Sequence, residues 1–226
     1  MRNGYRQQVL DRLWQGRDPF AQFPAGLYTR NMSGWNFEHR YLSEAIVRYR
    51  PGIVVEVGVW MGRSVMTMAR AMRDCGCDGV IIAVDTWLGS SEHWLNPLQT
   101  ANLVRLHGFP QFYWNFLANI VAEGLQDFVL PLPLDSASAQ VVLGKLALRP
   151  VVVHLDAAHD YASVSLDLQR WWSLLLPGGM LIADDYDATR SVWPEVGRAV
   201  DDFRARAAHE DFAVDPYKCR LVRPRG

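Results

Sequence analysis

The feature that most constrains the fold is the stretch IVVEVGVWMGRS at residues 53–64. An apolar run leads to two glycines, and an apolar helical pattern begins at Ser64. This order predicts a buried strand over 53–57, a glycine-rich turn and a helix over 63–73. Gly58 has no Cβ, so the backbone can turn sharply there and a ligand can approach closely.

The spacing of the glycines distinguishes between nucleotide ligands. It matches neither GxGxxG nor GxxxxGK[ST], the patterns of dinucleotide and triphosphate cradles. An acid before the first glycine would repel a pyrophosphate but suits an amino group or a cation. The pattern E-x-G-x-x-x-G resembles motif I of the class I S-adenosylmethionine (SAM) methyltransferases, the alternative being a plain strand-to-helix turn. The cofactor-binding residues that this resemblance implies are Glu56, Gly58, Val59, Gly62 and Ser64.

Length and composition favour one domain with an ample core. The chain has 226 residues, half of them hydrophobic, and a formal net charge of −1 with both signs scattered. Because no basic face stands out, nucleic acid is not expected as a partner. Cys75, Cys77 and Cys219 are expected to be free thiols in a reducing cytoplasm. The sequence has no signal core and no apolar run of membrane-spanning length, which predicts a cytoplasmic protein without a membrane partner.

Alternating strand and helix patterns predict the architecture. Strand patterns cover 53–57, 80–85, 127–132, 150–156, 180–185, 211–214 and 218–222. Helical patterns cover 5–14, 36–49, 63–73, 110–122, 136–147, 161–176 and 194–208. We therefore expect an α/β fold, a Rossmann-like doubly wound seven-stranded sheet whose last hairpin is antiparallel. Residues 1–35 are interpreted as a helix and an irregular segment that acts as a lid, an oligomer contact or a packed surface loop, and residues 36–226 as the SAM-binding domain.

The second strand ends in an acid, Asp85. A carboxylate at this position of a nucleotide-binding sheet typically accepts hydrogen bonds from a ribose diol, and we predict that role here. Thr86 and Trp87 follow as further candidate cofactor contacts. Trp87 would pack either along an adenine or in the core.

Two loops carry further candidates. The connection 88–109 is longer than a plain loop needs, and it contains His93 and Trp94 as candidate substrate contacts, although a structural role is favoured. Asp135 and Ser136 precede a helix as an N-cap pair. In methyltransferases this turn lies beside the adenine, so either residue is a candidate for contact with its N6 amine, although capping alone would explain both.

Three acids end two later strands: Asp156 ends the fourth, and Asp184 and Asp185 end the fifth. If these strands are neighbours, the three carboxylates meet at one sheet edge, which is costly unless a cation neutralises them or one turns away. Oxygen ligation favours a hard ion such as Mg²⁺, Ca²⁺ or Mn²⁺. A divalent cation, with Mg²⁺ the first choice, is therefore predicted here, simple capping by these acids being the alternative.

Two histidines lie close to these acids. His159 follows Asp156 by three residues and is predicted to be the general base, because a neutral imidazole can take a proton from a substrate hydroxyl. Asp156 is predicted to be a catalytic residue together with His159. His154 lies inside the strand and is expected to be packed without a catalytic role.

The motifs VVEVGVWMGRS, AVDTW, HLDAAHDYASVSLDLQRWW and LLPGGMLIADDY, in this order, make the resemblance specific. They are similar to a small-molecule branch of the class I methyltransferases that includes the macrocin-type sugar O-methyltransferases and the cephalosporin hydroxylase-like proteins. D-x-x-H followed by D-D also resembles the metal triad of catechol-type O-methyltransferases. In those enzymes a lysine stands where this chain has His159, and an asparagine where it has Asp185.

The resemblance implies a SAM-dependent O-methyltransferase that acts on a hydroxyl of a sugar or another small natural product. Two other functions stay open: a metal-independent N- or C-methyltransferase, and a non-catalytic SAM- or nucleoside-binding partner in a biosynthetic complex. The [DNS]-P-P-[YF] motif of amino-methylating DNA enzymes is absent after the fourth strand, where the chain reads DAAH. A homo-oligomer is a further expectation.

Overall fold

The computed structural model describes residues 4–35, 37–97, 103–187, 189 and 192–226. Its strands are β1 Ile53–Val57, β2 Val80–Val84, β3 Arg105–Leu106, β4 Phe109–Pro110, β5 Val129–Leu132, β6 Val152–Leu155, β7 Met180–Asp184, β8 Glu210–Asp215 and β9 Lys218–Val222. Its helices are α1 Gly4–Trp14, α2 Arg40–Tyr49, α3 Arg63–Asp74, α4 Ser91–Leu95, α5 Phe112–Ala122, α6 Ser136–Lys145, α7 Tyr161–Leu174 and α8 Pro194–Arg204, with a 3₁₀ turn at Ala25–Leu27.

The main sheet has seven strands in the order β5-β2-β1-β6-β7-β9-β8. The first five of these run parallel, whereas β9 pairs antiparallel with both β7 and β8. The predicted doubly wound sheet with a final antiparallel hairpin is therefore confirmed. Strands β3 and β4 form a separate short hairpin inside the connection that was predicted only as a long loop.

The sheet separates two hydrophobic cores. Residues 55 and 57 of β1 pack with α6, α7 and α8 on one face, and residue 54 packs with α2, α3 and α5 on the other. Because side chains alternate along a strand, Glu56 lies on the face that α3 covers. Both faces of the central strands are buried, as their continuous apolar runs predict.

Some helix boundaries differ from the prediction. The helix expected from residue 36 begins at Arg40, because His39 is extended and its ring nitrogen accepts a hydrogen bond from the Tyr41 amide as an N-cap. The last helix ends at Arg204 rather than 208. Among the described residues, no helix is long and apolar enough to cross a membrane.

The crossing from β1 to α3 leaves a cleft at the carboxyl edge of the sheet. Gly58 has a φ of +82°, and a Cβ added there would lie 1.9 Å from the Asp156 carbonyl oxygen. Only glycine permits this approach, which brings the ends of β1 and β6 together. The ligand edge expected for an open α/β sheet is thus formed by the ends of neighbouring strands.

Candidate active site

A cavity of about 840 Å³ opens at this carboxyl edge. Twelve of the residues predicted from the sequence line it: Gly58, Val59, Ser64, Asp85, Thr86, Trp87, Asp135, Ser136, Asp156, His159, Asp184 and Asp185. Its volume suits a cofactor-sized ligand, since such pockets usually measure 300–1,000 Å³. The structure therefore brings most of the predicted site residues around one space.

Glu56 is the main exception, and its predicted direct contact with the cofactor needs correction. Its side chain is fully buried and does not line the cavity. One carboxylate oxygen accepts a hydrogen bond from the Ser64 hydroxyl, and the other lies 3.5 Å from His154 Nδ1. Burial raises the pKa of Glu56 to about 8, although the Ser64 hydrogen bond opposes the shift. Glu56 thus packs beneath the glycine turn rather than facing the ligand space.

Gly62 also lies away from the cavity. It is the N-cap of α3, with φ +83°, and a Cβ there would come within 2.7 Å of the Phe116 ring. Its lack of a side chain serves the close packing of α3 against α5. This second glycine of the motif is therefore explained by packing and helix capping.

Asp85 lies where a ribose-binding acid was predicted, and in this structure its carboxylate holds the glycine turn. One oxygen accepts hydrogen bonds from the amides of Val59 and Trp60, both 2.8 Å, and the other accepts from the Trp87 amide at 2.7 Å. A carboxylate has about four acceptor positions, so a diol can still be accommodated. Asp85 therefore fixes the turn and still presents acceptor capacity to the cavity.

Trp87 is 1% exposed and packs in the core against Phe116, with ring centroids 5.0 Å apart. Its indole Nε1 donates to the Trp60 carbonyl. Of the two roles predicted for Trp87, packing in the core therefore accounts for its side chain. Thr86, by contrast, is exposed at the cavity wall.

Asp135 and Ser136 begin α6 as predicted. The Asp135 carboxylate accepts from the Ser138 amide, and this capping bond lowers the pKa of the acid. The Ser136 hydroxyl donates to Asp167 Oδ1 at 2.5 Å and accepts from Trp171 Nε1 at 2.9 Å. Asp167, on the cavity-facing side of α7, was missed by the sequence reasoning. The only indication of it in the sequence is an acid within the helical pattern VSLDLQRWW.

The carboxylate cluster contains an internal cation that was also missed. The Lys218 ammonium, fully buried on β9, donates to Asp184 Oδ2. Asp184 Oδ1 accepts from the Asp185 amide at 2.9 Å. Because β9 pairs with β7 at this register, the lysine lies beside the acid. Both oxygens of Asp184 therefore have protein partners.

The three predicted metal ligands do not form one group in the described residues. Asp156 groups with His154 and Asp184 on one side, and with His159 and Asp185 on the other, each set within 4.8 Å. The first set already faces Lys218, whose Nζ lies 3.5 Å from His154 Nε2. A positive ammonium disfavours a metal ion in that set. The second set is the one that remains open to the cavity.

His159 lies at the cavity wall as predicted. Its Nε2 is 2.9 Å from Asp185 Oδ2, and its ring stacks on Trp193 with centroids 4.0 Å apart. Burial opposes a charge on the imidazole, but the hydrogen bond and charge of Asp185 outweigh it and raise the pKa of His159. Asp185 itself has φ +56°, which turns its carboxylate toward the histidine. The imidazole is thus oriented by a carboxylate and an aromatic ring.

Asp156 is the one acid of the cluster to which no described residue donates a side-chain hydrogen bond. Burial, followed by the charge of Asp184, raises its pKa well above the ordinary value. His154 is fully buried between Glu56 and Lys218, and burial lowers its pKa to about 3. As predicted, His154 is packed inside the strand and stays neutral.

Residues 28–35 form an irregular segment without helix or strand, and we call it the strap. Ser33, Gly34 and Trp35 of the strap line the cavity, and Ser33 accepts a hydrogen bond from Trp60 Nε1. The Arg63 guanidinium donates to the Met32 carbonyl. Three residues of the strap therefore form part of the cavity wall. The lid role of the N-terminal segment stays a prediction.

The start of the long connection after β2 also lines the cavity, through Gly89, Ser90, Glu92 and His93. His93 lines the cavity and lies against the Trp60 ring, with centroids 4.3 Å apart. Trp94 does not line the cavity and is 45% exposed. Of the two candidate substrate contacts in this connection, the structure therefore places only His93 at the site.

Comparison with known proteins agrees with this fold. The model of a family described as Methyltransferase domain matches residues 55–186, more than half of the chain. The structure of the O-methyltransferase NovP aligns with a TM-score of 0.60 at 22% identity, over 84% of this chain and 78% of that one. The Bacillus cereus O-methyltransferase in complex with SAH aligns with a TM-score of 0.57 at 14% identity, over 96% of each chain. CalS11, a calicheamicin methyltransferase, aligns with a TM-score of 0.54 at 16% identity, over 80% of this chain and 76% of that one. No curated protein matches the sequence.

The sheet order, the glycine turn after β1 and the acid after β2 define the class I methyltransferase fold. The chain belongs to the methyltransferase domain family that matches its residues 55–186. It is accordingly a SAM-dependent methyltransferase, as its motifs predicted.

Proposed function

We propose that the enzyme transfers the methyl group of SAM to a hydroxyl oxygen of a sugar or another small natural product. The observation that carries this proposal is the Asp185-oriented imidazole of His159, which lies on the cavity wall beside Asp156. The resemblance of the motifs and the names of two structural neighbours, the O-methyltransferase NovP and the TDP-rhamnose 3'-O-methyltransferase CalS11, support an O-methyl transfer.

The imidazole geometry suits removal of a hydroxyl proton. If His159 Nε2 donates to Asp185, its Nδ1 carries the lone pair that accepts the proton. The oxygen then attacks the sulfonium methyl carbon, the carbon–sulfur bond breaks, and neutral S-adenosylhomocysteine (SAH) leaves. Asp185 stabilises the imidazolium that forms. The aromatic walls and the strap exclude water and position the acceptor, which supplies much of the rate.

A divalent cation fits the open half of the cluster. Among the described residues Asp156 has no side-chain hydrogen-bond or ion-pair partner, although the charge of Lys218 acts on it from a distance, and Asp185 has a second oxygen besides the one that faces His159. Mg²⁺ commonly binds through one or two carboxylates and completes its shell with water and substrate. Asp156 and Asp185 would hold it, while Asp184 stays with Lys218. When bound, such an ion lowers the pKa of a coordinated hydroxyl.

A metal-independent methyl transfer is the second candidate, and the Lys218–Asp184 ion pair favours it. This pair neutralises one acid of the cluster, and His159 can neutralise another. Turnover that persists in excess EDTA would assign the reaction to the metal-independent form. Turnover that stops in EDTA and returns with Mg²⁺ would assign it to the metal-assisted form.

Substitution of the imidazole tests the proposed base. For His159→Ala we expect kcat to fall about 10²- to 10⁴-fold, the usual contribution of a general base. The Kd of SAH, measured by titration calorimetry, should change less than about twofold. Turnover is followed as SAH formed with a panel of glycosides and phenols, by mass spectrometry. His209→Asn is the control, since His209 lies outside the cavity and bonds the Ala207 carbonyl. A His159→Ala enzyme that loses SAH affinity but keeps its turnover per bound SAM would contradict the role.

A further inference from the structure

The end of the cavity between α6 and α7 has the character of a purine site. Leu134 and Leu166 provide apolar walls, and Ala137 and Ala157 leave room between them. A flat ring system fits between apolar side chains, and a few polar groups at its edge decide which ring is accepted.

One buried carboxylate, Asp167, faces this space. The residue is 8% exposed yet lines the cavity. Its Oδ1 accepts from the Ser136 hydroxyl and lies 3.8 Å from Arg170 Nη1. No described residue donates a hydrogen bond to its Oδ2. The side chain is therefore held in place through one oxygen, and the other is left with acceptor capacity.

The two residues expected from the sequence at this position are already engaged. The single hydroxyl proton of Ser136 goes to Asp167, so this hydroxyl cannot also donate to a ligand. Asp135 is exposed, and its carboxylate caps α6 through the Ser138 amide. Of the three, Asp167 is the one that combines burial with an acceptor unused by the described residues.

We propose that Asp167 Oδ2 accepts a hydrogen bond from the exocyclic amino group of the cofactor's adenine and so selects adenine over a 6-keto purine. This inference rests on the proposed function only in that SAM is the cofactor. A keto oxygen at the same position would face a buried acceptor with no proton between them, and sites built in this way reject such analogues strongly. Burial raises the pKa of Asp167, and the bond from Ser136 opposes the shift. A donor on the ligand would further stabilise the ionised carboxylate.

The test compares the binding of SAH and S-inosylhomocysteine, which carries a keto oxygen in place of the amine, by titration calorimetry. We expect the wild type to prefer SAH at least about 30-fold, the effect of a hydrogen bond to a charged group. In Asp167→Asn the amide can turn its donor toward the keto oxygen, so the preference should fall below about threefold or reverse. If Asp167 merely joined α6 to α7, its substitution would weaken the binding of both ligands alike and leave the ratio of their Kd values unchanged.

Asp135→Asn tests the rival assignment in the same experiment. Loss of its helix cap can weaken both ligands, but the preference for SAH should persist. Collapse of the preference in this variant, or its persistence in Asp167→Asn, would overturn the proposal. If Asp167→Asn does not fold, the wild type alone decides, because equal affinity for the two ligands also overturns it. A protein that has no turnover, but whose preference for SAH is lost in Asp167→Asn and kept in Asp135→Asn, would count against the proposed reaction and leave the role of Asp167 supported.

Discussion

At the scale of single residues, the site shows how one buried polar group changes the role of its neighbours. The carboxylates at the sheet edge predicted a cation, because like charges repel in a poorly solvated place. Lys218 supplies one positive charge from β9, at a position far along the chain from the acids it serves. Lys218 therefore separates the three predicted metal ligands. It pairs with Asp184, whereas Asp156 and Asp185 remain available to a ligand in the cavity.

Glu56 makes a prediction about stability and pH. Its pKa of about 8 in the folded state exceeds its ordinary value of 4.5, so the folded protein retains a proton that the unfolded chain releases. Its contribution to stability is complete below pH 4.5 and is lost as the pH rises toward 8. Glu56→Gln removes this dependence. The free energy of unfolding of the variant minus that of the wild type should therefore rise by about 1.4 kcal/mol per pH unit.

Urea denaturation at pH 5, 6, 7 and 8 measures this difference. Taking the difference cancels the titration of groups that both proteins share. Glu44→Gln, at an exposed position of α2, is the control and should give a difference that does not change with pH. A constant difference for Glu56→Gln as well would mean that Glu56 is ionised in the folded protein.

At the scale of elements, the strap is held to α5 chiefly by Asn119. Asn119 is fully buried, and its amide bonds both the N–H and the carbonyl of Asn31 as well as the Met61 carbonyl. Asn119→Ala would leave these buried backbone groups unpaired, at a cost of about 1–3 kcal/mol. We expect amide hydrogen exchange in residues 28–35 to accelerate roughly 10-fold or more while β1 stays protected. Asn115→Ala, which removes a single bond to the Thr29 carbonyl, should have a smaller effect. Equal exchange in the wild type and Asn119→Ala would show that other contacts hold the strap.

The elements also show what the sequence could predict and where its information ended. The parallel strands were predicted nearly to their ends, because burial on both faces demands long apolar runs. Gly58, Asp85 and His159 were located because each follows a strand and topology then places it at one edge. Asp167 and Lys218 were missed, because an acid within a helix or a lysine within a strand joins the site only through tertiary packing. The start of α2 at Arg40 was missed because a histidine ring provides its cap.

At the scale of the whole molecule, the fold gathers negative charge around the ligand. Seven carboxylates and two arginines line the cavity: Asp85, Glu92, Asp135, Asp156, Asp167, Asp184 and Asp185 against Arg63 and Arg170. Even with Asp156 protonated, His159 charged and Lys218 counted with its partner Asp184, six negative charges face four positive ones among these described residues. The chain as a whole is nearly neutral, so the negative field belongs to this edge of the sheet. Such a field favours the binding of the cationic cofactor SAM over that of its product SAH, which has lost the sulfonium charge.

This field predicts that the two forms of the cofactor respond differently to salt. SAM carries one more positive charge than SAH, at its sulfonium, which we expect to lie in the cavity. Raising NaCl from about 20 to 500 mM shortens the screening length from roughly 20 to 4 Å, which weakens attraction by the partly exposed acids. The affinity for SAM should therefore fall about 3- to 10-fold and that for SAH less than about twofold. Sinefungin, whose amine keeps a positive charge near the same position, should follow SAM. The contrary outcome in titration calorimetry is the same salt dependence for all three ligands. That result would mean that positive groups of the protein neutralise the acids, as Lys218 neutralises Asp184, and that no net negative charge attracts the sulfonium.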